Sequence, residues 1–260
     1  MKTALITGAS SGIGSEFARV CAQKGHPLVL VARDKLALSN LAEELKAKYN
    51  IPSRILAKDL SRPEAPAEIY EELARDSVKI DILINNAGVG VGGFFKDTDL
   101  EAELAMIRLN ITALTHLTKL FLRDMVRRGS GKILNVASTA AFQPGPTMSI
   151  YYASKAYVLS FSEAIAEELR GTNITVSCLC PGPTTSNFQS RAGIEGIRLL
   201  KRTKMDAATV AKIGYEGLMK KRRLIIPGPS NKFFSFMVRF LPREWITRMV
   251  LWLQTNSRKS

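Results

Sequence analysis

The sequence predicts an α/β protein, a doubly wound parallel sheet of seven strands with helices on both faces, followed by a C-terminal helical appendage. Three observations predict it. Short apolar runs alternate with longer amphipathic stretches from the start to about residue 180, the β-α-β rhythm that a parallel sheet requires. The apolar runs are nearly continuous, as in strands covered on both faces. A glycine-rich turn, Thr7-Gly8-Ala9-Ser10-Ser11-Gly12-Ile13-Gly14, directly follows the first of them.

Strands are expected at residues 3–7, 28–32, 53–57, 80–85, 132–137 and 174–180, and helices at 13–24, 34–49, 63–76, 99–128 and 150–170. Ser61, ahead of Arg62-Pro63-Glu64, reads as an N-cap, and Arg127-Arg128-Gly129 as a basic last turn closed by glycine. Past Pro181 the pattern loosens. Residues 184–205, with an amphipathic patch at 194–200 and the basic pair Lys201-Arg202, are expected to form a loop-plus-helix lid. A helix over 206–221 with Asp206 as N-cap and a last strand over 223–226 follow. Pro227-Gly228-Pro229 breaks the chain, and two helices, 231–241 and 243–254, flank Pro242. This organisation is one main domain over 1–230 and an extension of it over 231–260.

At 260 residues and 46% hydrophobic, the chain suits one large domain with a sizeable core. Cys178 and Cys180 alternate in an apolar run and should share one strand face. Neither a CxxC pair nor nearby histidines support a metal site, and none is expected. The chain begins almost on its first strand, without a signal or transit pattern, and no apolar run is long enough to span a bilayer. A reduced, cytoplasmic protein is the expectation. The net charge of +14 is unevenly placed: residues 1–200 carry 23 Lys/Arg against 20 Asp/Glu, whereas residues 201–260 carry 14 against 3. That asymmetry, with no recognition motif, argues against a nucleic-acid partner.

Tyr151 and Lys155 stand four apart in a predicted helix and so lie on one face, one turn apart. A phenol ordinarily titrates near ~10, and an ammonium within about 4–6 Å favours its phenolate. The pair is a way to build a proton donor and acceptor for a carbonyl/alcohol couple. Tyr152 lacks such a partner, since Ala156 stands four residues on. Alone, the pair is a weak signal and reads better as a core aromatic beside a solvated lysine. The glycine turn supplies a second function: tight turning, close approach of a pyrophosphate, and free N–H groups at a helix N-terminus facing an anion.

The glycine turn, Asn85-Asn86-Ala87-Gly88, Ser138, Tyr151-x-x-x-Lys155 and Pro181-Gly182 occur in this order. With these motifs the chain closely resembles the short-chain dehydrogenase/reductase family over roughly residues 2–186. The resemblance implies a Rossmann-type fold and oxidoreductase chemistry between a nicotinamide dinucleotide and a small-molecule carbonyl or alcohol. It implies Tyr151 as general acid, Lys155 lowering its pKa and holding the nicotinamide ribose, Ser138 on the substrate oxygen, and Asn110 anchoring a water relay. Gly8, Ser10, Ser11, Gly12, Ile13 and Gly14 would cradle the pyrophosphate. Asp59 and Leu60 would meet the adenine, and Asn86, Ala87 and Gly88 the adenosine ribose. Pro181, Gly182, Thr184 and Ser186 would lie against the nicotinamide. Homodimers or homotetramers are the family's usual assemblies.

A carboxylate at the end of the second strand would hold the 2′-hydroxyl of NAD and repel the 2′-phosphate of NADP. Here Ala32 stands at that position and Arg33 follows, a side chain that can fork onto a phosphate. NADP(H) is the expected cofactor, although Asp34 could neutralise Arg33. The tail departs from the family's soluble oxoacyl-carrier-protein reductases in its aromatic residues, which include Phe233, Phe234, Phe236, Phe240, Trp245 and Trp252. It reads as a cover for an apolar substrate pocket, a subunit interface, a peripheral contact with an anionic membrane, or helices packed on the domain. An apolar substrate such as a 3-oxoacyl thioester, steroid-like ketone or lipid aldehyde follows from the first reading. The alternative function is a dinucleotide-binding sensor or membrane-docked interaction protein without turnover. The complete Ser138/Tyr151/Lys155 set argues against it.

Overall fold

A computed structural model describes residues 1–185 and 204–256. The expected Ser186 contact and most of the 184–205 lid lie outside the described residues. Strands β1 (Ala4–Thr7), β2 (Leu28–Ala32), β3 (Ser53–Ala57), β4 (Ile82–Asn85), β5 (Gly131–Val136), β6 (Ile174–Leu179) and β9 (Leu224–Ile225) form a seven-stranded sheet of order β3-β2-β1-β4-β5-β6-β9. Every pairing is parallel. A separate parallel pair joins β7 (Thr184–Thr185) to β8 (Met205–Asp206). The helices are α1 (Gly12–Gln23), α2 (Lys35–Tyr49), α3 (Ala65–Arg75), α4 (Leu100–Ile107), α5 (Leu114–Arg128), α6 (Ser149–Glu168), α7 (Ala207–Met219), α8 (Pro229–Met237) and α9 (Arg243–Asn256).

Strand periodicity explains both cores. Successive side chains leave a strand on opposite faces. Ala4 and Ile6 therefore join Leu28, Leu30, Ile82 and Ile84 in a core with Phe17 of α1 and Tyr215 of α7. Leu5 joins Val29, Val31 and Leu83 in a second core with Ile69 of α3 and Phe121 of α5. Close approach of α7 depends on Gly214, where a Cβ would fall 2.9 Å from both Leu179 and Phe17.

The caps separate the right expectations from the wrong ones. Gly129 closes α5 in the left-handed conformation, φ +67°, and the Asp206 carboxylate accepts the Thr209 N–H at 2.7 Å. Ser61 is not an N-cap. Its N–H and hydroxyl both donate to Asp59, at 2.9 and 2.8 Å, and turns through residues 62–65 delay α3 to Ala65. The single helix expected over 99–128 is interrupted by a π-helical turn, Arg108–Ala113. One extra residue in such a turn re-aims a side chain, and Asn110 lies in it, buried.

The chain winds outward from β1 to β3 on one side and from β4 to β9 on the other. The order reverses between β1 and β4, the place where such sheets bind ligands beyond their carboxyl ends. The turns after β1, β4, β5 and β6 all open on that edge. Among the described residues no helix is long and apolar enough to cross a membrane.

Candidate active site

The turn after β1 is shaped for an anion. Gly8 and Gly12 have φ of +66° and +59°, conformations glycine adopts without strain. At Gly14 a Cβ would sit 2.1 Å from the Gly8 carbonyl oxygen, so no side chain is accommodated there. The start of α1 is left uncapped: Ser11 makes no side-chain cap bond, and the first turn holds no acid. Asp34, Asp99 and Asp206, in contrast, each cap their helices with a carboxylate. Exposed N–H groups and an uncompensated positive helix pole fit a pyrophosphate. Ser10 and Ser11 remain partly accessible, while Ile13 packs against the core.

Asn86 pins this turn to β4. Its Nδ2 donates to the carbonyl oxygens of Thr7 and Gly8 at 3.0 and 3.3 Å, and the Thr7 hydroxyl accepts the N–H groups of Asn86 and Ala87 at 3.0 Å each. Thr7 is a positioning residue that the sequence reading passed over, although it opens the glycine motif. Beyond β2, Arg33 is exposed and forms no ion pair among the described residues. No ion pair joins it to Asp34, whose carboxylate accepts the Ala37 N–H at 3.0 Å. Burial opposes ionisation of Asp59, but the Ser61 N–H and hydroxyl, with the charges of Arg33 and Arg62, hold its carboxyl below the ordinary value. Leu60, next to Asp59, is buried in the core on the α3 face.

Ser138 follows β5. Its Oγ accepts the Ala140 N–H at 3.1 Å, at the start of a 3-10 turn, Thr139–Phe142, and it hydrogen-bonds Tyr151. Tyr151 is buried with Met106, Ala140 and Met148, flanked by Val89, Val91 and Ile150. Burial raises its phenol well above the ordinary value, and the Ser138 hydroxyl pulls it partly back. The expected lowering by Lys155 is not what this geometry gives. The Lys155 Nζ donates to the Val136 carbonyl at 3.0 Å and lies 5.8 Å from the Tyr151 ring centroid. Burial in turn pulls the Lys155 ammonium down to about 8, against small opposing effects of Cys178 and Cys180. Those thiols share one strand face as expected, 3.8 Å apart.

Asn110 clamps the segment after β4. Its Oδ1 accepts the Val89 N–H at 3.0 Å, and its Nδ2 donates to the Val89 carbonyl at 2.9 Å and the Ser154 hydroxyl at 3.1 Å. It makes no direct bond to Lys155. Both meet at Gly88, where a Cβ would lie 3.2 Å from Asn110 Oδ1 and 3.3 Å from Lys155 Nζ. Pro181 is buried, and its carbonyl accepts the Thr139 N–H at 2.9 Å. Gly182 packs against Asn231 of α8, and the Thr184 hydroxyl donates to the Gly182 carbonyl at 3.0 Å. Thr147, Tyr152 and Gln254 also meet beside Tyr151, a junction the sequence reading did not find. Its only linear signal is Tyr152 next to Tyr151.

A reversed parallel sheet with an uncapped glycine turn at the reversal defines a dinucleotide-binding fold. Residues 2–195 match the short chain dehydrogenase family, and the chain belongs to it. A short-chain dehydrogenase from Sphingobium yanoikuyae, solved in complex with NADPH, is 36% identical with TM-score 0.83, over 91% of this chain and 92% of that one. The bulky-bulky ketone specific alcohol dehydrogenase of Comamonas testosteroni is 32% identical with TM-score 0.79, over 92% of each chain. The very-long-chain 3-oxoacyl-CoA reductase of Anas platyrhynchos is 29% identical over 98% of this chain and 80% of its own. Another solved relative holds NAD. The protein is thus an oxidoreductase of this family with a nicotinamide dinucleotide cofactor.

Proposed function

We propose that the protein is an NADP(H)-dependent reductase interconverting an apolar ketone and its secondary alcohol, with Tyr151 as proton donor. The observation that carries this reading is the Ser138–Tyr151 hydroxyl pair in an apolar cluster, with the Lys155 ammonium behind it. The bound dinucleotide would supply the hydride. Ser138 orients the substrate oxygen, and Tyr151, kept protonated by burial, gives it a proton. Lys155 keeps its ammonium behind that pair, and Asn110 clamps Val89 beside Gly88. Gly8, Gly12, Gly14 and Asn86 hold the pyrophosphate turn, and Pro181, Gly182 and Thr184 border the nicotinamide end.

Arg33, exposed and without an ion pair among the described residues, supports the phosphate-bearing cofactor, as does the NADPH held by the Sphingobium relative. Val89, Val91, Met106 and Ile150 around Tyr151 support an apolar substrate. The names of the duck and Comamonas relatives point to the same class. Homodimer or homotetramer assembly belongs to this reading by family resemblance. So does contact of α8 and α9 with an anionic membrane surface. Exposed Phe233, Phe234, Phe240, Trp245 and Trp252, interleaved with exposed Lys232, Arg239, Arg243 and Arg248, support it.

The test is NADPH oxidation against a medium-chain 3-oxoacyl thioester, a steroid ketone, a lipid aldehyde and a small polar ketone. Turnover should favour the apolar members. Tyr151→Phe should lose about a thousandfold in kcat or more while NADPH binding survives. A Tyr151→Phe enzyme that keeps its rate overturns the proton-donor role.

A further inference from the structure

The last helix reaches back to the middle of the chain. α9 buries Ile246, Val250 and Gln254, residues four apart that share one face. The first two are what a packing face requires. Gln254 is polar yet only 6% exposed, and both ends of its amide are used. Its Oε1 accepts the Thr147 hydroxyl, and its Nε2 donates to the Tyr152 hydroxyl at 3.1 Å. A buried amide is costly unless satisfied, and an apolar side chain would continue the stripe without that cost. Here the amide fixes the positions of two hydroxyls more than a hundred residues earlier.

Both hydroxyls belong to the segment between Ser138 and the end of the Tyr151 turn. Thr147 has φ +67°, a region that β-branched residues rarely enter. It is held there from two sides: its carbonyl accepts the Gly93 N–H at 2.8 Å, and its hydroxyl donates to Gln254. Such strain persists only where the surroundings over-determine it. Thr147 lies two residues before the start of α6 at Ser149, so its backbone angle sets how α6 departs and where Tyr151 stands over Ser138. Tyr152 packs edge-on against Tyr151, ring centroids 6.0 Å apart. Its ring occupies the space above Gly145, where a Cβ would fall 2.1 Å from Cγ. Two separate parts of the chain, the loop after β4 and α9, therefore converge on this approach to α6.

We propose that Gln254 is a positioning residue of the active site, through which α9 holds residues 143–152 in the conformation that aligns Tyr151 with Ser138. The proposal rests on the reading of Tyr151 as proton donor. Gln254 touches no reacting atom and acts through Thr147 and Tyr152.

The experiment compares Gln254→Leu, Thr147→Val and Thr147→Ser in the full chain. Hydrogen exchange of peptides covering 143–152 should rise about tenfold in the first two, while peptides from β1 and α1 stay protected. With the best ketone of the panel, kcat should fall about tenfold with the NADPH Kd unchanged. Thr147→Ser keeps the hydroxyl and should restore both readouts. Should Gln254→Leu fail to fold, Thr147→Val and Tyr152→Phe carry the same test. Unchanged exchange over 143–152 overturns the proposal. A joint fall in Tm, NADPH affinity and kcat also overturns it, because it would mark a general structural role. The two readings fail separately: an active Tyr151→Phe sinks the proton donor, whereas an inactive Tyr151→Phe beside an unaltered Gln254→Leu sinks the clamp alone.

Discussion

In β1 and α1 the large apolar side chains pack into the two cores: Leu5 on one face of the sheet, Ile6 on the other, Phe17 wholly buried between α1 and α7. In the tail the reverse holds. Phe234 is 66% exposed and Trp252 62%, and the phenylalanines pair with one another, Phe233 with Phe234 and Phe236 with Phe240. The difference lies in how many faces each element has covered. A central parallel strand is covered twice, whereas the fully buried residues described in α9 are Ile246, Val250 and Gln254, on one stripe. Burial in the sheet is dictated by the fold. Exposure in the tail is a surface whose chemistry is available to something else.

That contrast can be broken by matched truncations. Phe17→Ala should destabilise the protein by ~3–5 kcal/mol through lost burial and the cavity left, read by denaturant unfolding. A smaller effect is expected at the cofactor edge. Arg33→Ala should weaken NADPH by ~2 kcal/mol, about thirtyfold, and leave NADH unchanged. Equal weakening of both cofactors would remove Arg33 from the 2′-phosphate. Next comes pH. The Lys155 proton leaves as pH rises through about 8, while the phenol of Tyr151 stays protonated above that range. The reduction rate should therefore decline through about 8, and a kcat/KM profile flat across that region contradicts it. Smallest is the tail: Trp245→Ala with Trp252→Ala should change stability by under about 0.5 kcal/mol per site. The same pair should reduce pelleting with anionic liposomes. A large loss of stability would mean that these rings are core after all.

Much of the fold could be read from the chain because its signals are local. Strands 28–32 and 53–57 have the expected limits, and Gly129 and Asp206 cap as their neighbours suggest. The glycine turn, Ser138, Tyr151 and Lys155 fall on one edge because each follows or faces a strand end. What stayed hidden was non-local or depended on burial. The π turn at Asn110 leaves no mark, since apolar spacing runs through it unbroken. Ser61 carried a cap signature, but Asp59, two residues earlier, took its hydroxyl. The direction of the Tyr151 shift depends on how deeply the ring sits, which spacing to Lys155 does not reveal. The contacts of Gln254 join positions over a hundred residues apart, beyond any periodicity.

The uncapped start of α1 makes the cofactor a removable part of the fold. The caps of α2, α4 and α7 are carboxylates of the chain itself, whereas the Ser11–Gly14 N–H groups would take theirs from a bound dinucleotide. A ligand that binds only the folded form adds stability as the logarithm of its free concentration, ~2.7 kcal/mol at a hundredfold excess over Kd. The stability of the first β-α unit should thus follow the free dinucleotide concentration, oxidised and reduced forms alike, since both carry the pyrophosphate. Resistance to proteolysis and thermal half-life should rise and fall with the total dinucleotide pool.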